Sequence, residues 1–157
     1  MIPKNFKDAV YVGIQLVLFL FYILWDRPLF SFTLPEILIY VCWLFLLFST
    51  GLFGLAVWNI RRALSPYPSP KAHAQLQTKA AFAFSRHPIY SSIIIGLTAW
   101  GILQENINQV IIAGILLLFF YVKARYEEKL LTDMFPQYQN YQKKTGMLFP
   151  NFFTFKL

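Results

Sequence analysis

At 157 residues the chain is 57% hydrophobic and 19% aromatic, only 13% charged, and carries a formal charge of +7. That balance excludes an ordinary soluble domain and leaves no room for a separate globular domain beside a membrane bundle. In a soluble chain such a charge would point to nucleic acid. Here the basic residues flank apolar runs, so the positive-inside bias and attraction to anionic headgroups account for it, and no nucleic-acid partner is expected.

Four apolar runs cover residues 9–25, 37–58, 89–103 and 110–122, against the ~20 residues a spanning helix needs. The first follows Lys4 and Lys7 and ends in bulky side chains without a small-residue cleavage site, so it reads as a retained helix. Asp26 and Pro28 then open a short outer connection, with Trp25 and Phe30 suited to an interfacial belt. The second helix begins at Pro35-Glu36, where the missing proline N–H does no harm, and runs to Asn59. Gly51 and Gly54 on it are expected to allow close helix packing. The single cysteine, Cys42, excludes an internal disulfide and a cysteine-cluster metal site.

The longest non-spanning stretch follows. Its start, Ser65-Pro66-Tyr67-Pro68-Ser69-Pro70, cannot form a regular helix. Leu76, Phe82 and Phe84 are more apolar than a solvated linker requires, so this stretch reads as a cover folded back on the bundle. The third helix starts at Pro88 and ends before Gln104-Glu105-Asn106. The fourth starts near Asn108 and continues past the interface, with Leu130, Leu131, Met134 and Phe135 at helical spacing, until Pro136 ends it. Tyr138 and Tyr141 keep a further aromatic face. Of the 14 Lys and Arg, all but Arg27 lie in the N-terminus, the segment after the second run or the tail after the fourth. Both termini are therefore expected in the cytoplasm.

Two clusters could carry chemistry. In Ser85-Arg86-His87-Pro88-Ile89-Tyr90, Pro88 suits a first helical turn and makes His87 the cap. The free N–H groups of that turn, with Arg86 alongside, form an anion site. In Arg125-Tyr126-Glu127-Glu128-Lys129, neighbours on a helix point about 100° apart. One carboxylate is thus expected inward while the other pairs outward with Arg125 or Lys129. The plain structural alternatives are an arginine anchored to headgroups and a solvated charge run in which Lys123 pairs with Glu127.

The order Leu76-Gln77-Thr78, Phe82, Arg86-His87-Pro88-Ile89-Tyr90, a helical hairpin, Glu127-Glu128-Lys129-Leu130-Leu131, Phe135, Tyr138, Tyr141 and Phe149-Pro150 resembles the isoprenylcysteine carboxyl methyltransferase family. That family sits in a wider group with the membrane phospholipid methyltransferases, and the likeness covers roughly residues 76–150. The resemblance implies an S-adenosylmethionine-dependent methyltransferase acting on a lipophilic or lipidated acceptor, an isoprenylcysteine-like carboxylate or, alternatively, a phospholipid amine. It implies cofactor contacts from Gln75, Leu76, Phe82, His87, Pro88, Tyr90, Glu127 and Glu128, with Lys123, Glu127 and Arg86 at the reaction and no metal. Membrane lipids are the other expected partners. Ala80 and Ser92 stand where the family pattern has glycine, and His73 lies near a family histidine. The expected fold is an all-α integral membrane protein, one domain over residues 1–157. It has four transmembrane helices, a cytoplasmic cofactor-covering loop and a C-terminal cap helix. Two other classes compete: an NADPH-dependent membrane reductase, and a non-enzymatic scaffold or transport subunit. Transport would need a polar stripe, and only Gln15 with a few Ser and Thr interrupts the spans.

Overall fold

A computed structural model describes residues 6–25, 27–30, 32–61 and 76–151. Among these the chain is all helical: α1 Phe6–Leu24, α2 Glu36–Ile60, α3 Ala81–Phe84, α4 Pro88–Leu103, α5 Ile107–Met134 and α6 Tyr138–Lys144. The helices α1, α2 and α5 are long and apolar enough to cross a membrane, and the chain is an all-α membrane protein. The expected third span, α4, has 16 residues. It rises only ~24 Å at ~1.5 Å per residue, short of a ~30 Å hydrocarbon core.

Helix α4 is the packing centre, with α2 along one side, α5 along the other, and α1 against α5. Ile94 of α4 meets Ile112, Ala113, Leu116 and Phe120 of α5 and Tyr22 of α1 in the main apolar core. Large apolar side chains of α1 and α2 stay outside it, among them Leu16, Phe21, Tyr40, Trp43 and Leu47. In water such faces would be a liability; against acyl chains they are what a span requires.

Gly51 and Gly54 face open space, so the expected close packing does not occur at them. It occurs at Gly96 of α4, where a β-carbon would stand 2.9 Å from Ser49 Oγ of α2. The described part of the cover behaves as Phe82 and Phe84 suggest: both pack with Ile89 on Leu52, Ala56 and Ala81. The proline-rich stretch, His73 and Gln75 lie outside the described residues.

At the opposite end, α5 supplies partners that the end of α1 lacks. Helix termini leave carbonyls without intrahelical donors. Gln109 Nε2 donates to Tyr22 O at 3.3 Å, Asn106 Nδ2 to Trp25 O at 3.3 Å, and Asn108 Nδ2 to Arg27 O at 2.6 Å. Asn106 also caps α5, its Oδ1 accepting from the Asn108 and Gln109 amides. These bonds pin α1 and α5 together and so set their relative rotation.

Candidate functional site

The helical period of α5 carries its buried stripe from lipid into charge. Ile112, Leu116 and Phe120 are followed on the same inward side by Lys123, Ala124 and Glu128. The first turn of α4 and the chain after α6 close over that charged continuation.

Arg86 is a clamp. Its Nε donates to Glu128 Oε1 at 2.6 Å and its Nη2 to Glu128 Oε2 at 3.2 Å, a bidentate pair. Its Nη1 donates to Gln142 O at 3.0 Å and to Thr145 O. Those carbonyls belong to the last turn and cap of α6, where a cation is favoured. The Arg86 backbone N–H reaches Gly146 O at 2.9 Å. The guanidinium expected beside an anion site is thus engaged with the protein itself.

His87 occupies the N-cap position of α4, and its carbonyl accepts from Ser91 N at 3.0 Å, but its side chain makes no cap bond. The ring lies between the two carboxylates instead. Nδ1 is 3.4 Å from Glu127 Oε2 and Nε2 is 3.4 Å from Glu128 Oε1. Both acids therefore turn inward, contrary to the expected split, because the histidine inserts between two neighbouring side chains that diverge around it. Burial lowers the His87 pKa, yet hydrogen bonding and charge from Glu127 and Glu128 outweigh it and hold it above the ordinary imidazole value. The ring stacks on Tyr90 with centroids 5.5 Å apart, and Tyr90 on Phe120 at 4.5 Å. Tyr90 donates its hydroxyl to Glu127 Oε1 at 2.5 Å.

Lys123 is 1% exposed and donates from Nζ to Gln15 Oε1 of α1 at 2.7 Å, so it is not part of a solvated charge run. Its ammonium also lies 5.2 Å from the Tyr90 ring centroid and feels the charges of Glu127 and Asp8. Asp8 is fully buried in the first turn of α1, with no hydrogen-bond partner for either oxygen among the described residues. Arg86, Glu128, His87, Glu127, Lys123 and Asp8 thus form a buried row of alternating sign.

Of the residues expected at the site, Arg86, His87, Tyr90, Lys123, Glu127 and Glu128 come together. Pro88 is buried at the first position of α4, where its fixed φ suits the turn. Phe82 packs on α2, and its carbonyl accepts from Tyr141 Oη at 2.5 Å. Burial pushes the Tyr138 and Tyr141 hydroxyls upward in pKa. Leu76 is half-buried at the start of the described segment, and Gln75 lies outside it. Sequence reading missed Asp8 as a partner and Gln15 as a site residue. The signal was present: Asp8, Tyr11 and Gln15 fall on one face of α1, and Tyr11 stacks on Tyr126 of α5 at 5.3 Å.

Among the described residues no group of three or more His, Cys, Asp and Glu side chains is placed to hold a metal ion. The row can hold a proton at His87 and keep three carboxylates compensated away from water.

No family model matches the chain. It is 26% identical over 112 residues to the nickel-cobalt-cadmium resistance protein NccN of Alcaligenes xylosoxydans xylosoxydans, covering 70% of this chain and 53% of that protein. It is 24% identical over 107 residues to the cobalt-zinc-cadmium resistance protein CzcN of Cupriavidus metallidurans, covering 67% of this chain and 50% of that one. The chain spans about half the length of these curated relatives. Their names overturn the methyltransferase family and activity expected from the motifs, and support neither the phospholipid-methylating, the reductase nor the scaffold alternative. Arg-His-Pro and Glu-Glu, which carried that resemblance, here bind one another and the end of α6. This chain is similar, at low identity, to proteins named for metal resistance.

Proposed function

We propose that the chain is a membrane component of resistance to divalent transition-metal cations of the nickel, cobalt, zinc and cadmium group. The observation that carries this reading is its similarity, across about two thirds of its length, to two proteins named for resistance to those metals. In this reading the bundle crosses the bilayer four times, α4 in a locally thinned region. The charge row and both termini face the cytoplasm, with α6 as a cap. The exposed side chains of Arg61, Lys79, Arg125, Lys129, Lys143 and Lys144 support that orientation, since such residues are retained on the cytoplasmic side. Its membrane partners include anionic headgroups, which the same residues attract.

The test is growth of a metal-sensitive host expressing the chain, across graded nickel, cobalt, zinc and cadmium, with sodium chloride as control. Tolerance should rise for at least one of the four metals and not for sodium. Unchanged dose curves with the protein present in the membrane overturn the reading.

A further inference from the structure

We propose that His87 is a proton-loaded latch: held as an imidazolium between Glu127 and Glu128, it fastens residues 138–148 to the bundle, and loss of its proton releases them. The argument begins with valence. A neutral imidazole offers one N–H and one lone pair, whereas an imidazolium offers two N–H groups. Carboxylate oxygens stand 3.4 Å from both ring nitrogens. A neutral ring would therefore turn a lone pair toward one of them, in a place where the side chain is 7% exposed.

Every charged or titratable group packed around the ring bears on that proton. From α5 come Glu127 and Glu128, with Lys123 acting across the Tyr90 ring. From α4 comes Tyr90 itself, stacked on the imidazole. Arg86 precedes it and is committed to Glu128. Tyr138 and Tyr141 of α6 lie beside Glu128 and Arg86, and Asp8 of α1 acts through Lys123. Without the imidazolium, Glu127 and Glu128 face each other across a neutral ring, Glu128 still paired with Arg86 and Glu127 still held by the Tyr90 hydroxyl and the charge of Lys123.

The same residues hold the chain after α5. The His87 amide donates to Met147 O at 3.0 Å and the Arg86 amide to Gly146 O at 2.9 Å. Gln142 Nε2 donates to Glu128 Oε2 at 3.0 Å. Ser91 donates to Leu148 O, and Arg86 to Gln142 O and Thr145 O. Displacing Glu128 would release Gln142 directly and free the Arg86 side chain that holds Gln142 O and Thr145 O. The latch is independent of the metal-resistance reading, since its parts are protein groups alone.

Hydrogen exchange on the full chain in detergent, followed by mass spectrometry from about pH 6 to about pH 9, tests it. After correction for intrinsic exchange, protection of residues 138–148 should be lost as His87 gives up its proton, because a raised imidazole pKa makes the stabilisation present at low pH and absent above it. Residues 94–103 of α4 should stay protected. In His87→Gln the step should vanish, and in Glu127→Gln its midpoint should move to lower pH. Flat protection in the natural chain, or the same step in His87→Gln, overturns the latch. Should His87→Gln fail to fold, an unmoved midpoint in Glu127→Gln overturns it equally.

Discussion

Ala80 has φ 55° and ψ −120°, a backbone conformation that L residues rarely adopt. It opens the turn into α3, and its carbonyl accepts from Ala83 N at 3.0 Å, so the turn cannot relax without losing that bond. A β-carbon there costs about 1 kcal/mol or more. Ala80→Gly should raise stability by about 1 kcal/mol, seen as a higher thermal unfolding midpoint in detergent. An unchanged or lower midpoint would show that the turn is unstrained. Glu105 also has positive φ, at 51°, but its carboxylate accepts from Leu34 N at 3.2 Å and helps hold the connection before α2.

Between elements, the polar face of α1 is the least expected feature. A retained first span with generic apolar character explains its length and outer surface, yet Gln15 accepts from Lys123 Nζ and the fully buried Asp8 lies close enough for its charge to act on Lys123. Removing one charge from a buried set leaves the other uncompensated, at about 3 kcal/mol or more. Lys123→Met should therefore destabilise the bundle by about 3 kcal/mol, and adding Asp8→Asn should recover a large part of it. Thermal unfolding of the two single variants and the double variant measures the coupling. Strict additivity would separate Asp8 from the row. The helix boundaries themselves were legible: Pro88 starts α4, Glu36 starts α2 after Pro35, and α5 runs through Glu128 to Met134. Proline geometry and apolar periodicity are local properties, and they operate before any tertiary contact forms.

Across the whole molecule, the asymmetric placement of basic residues makes a topological prediction. Reporter fusions at the N-terminus and the C-terminus should both read as cytoplasmic, and one placed in the connection around Arg27 should read as external. An external C-terminus would move the charge row to the other face of the membrane. Among the described residues Lys7, Arg61, Lys79, Arg125, Lys129, Lys143 and Lys144 are exposed, while Arg86 and Lys123 serve the charge row, so most of the orienting charge is separate from the site.

Sequence by itself determined that the chain is helical, apolar and membrane-embedded, where its main helices begin and end, and that Arg86, His87, Glu127 and Glu128 deserve notice. It could not determine which of them would meet. Asp8 and Lys123 are far apart in the chain, as are Arg86 and the α6 carbonyls, and their encounter depends on the order and rotation of the helices. That rotation is set by Gly96 against Ser49 and by the bonds from Asn106, Asn108 and Gln109 to the end of α1. Only the tertiary structure brought the two motifs together into one internally compensated charge row. The reason is physical: a buried charge takes whatever partner packing brings within reach, and packing is not a local property of the chain.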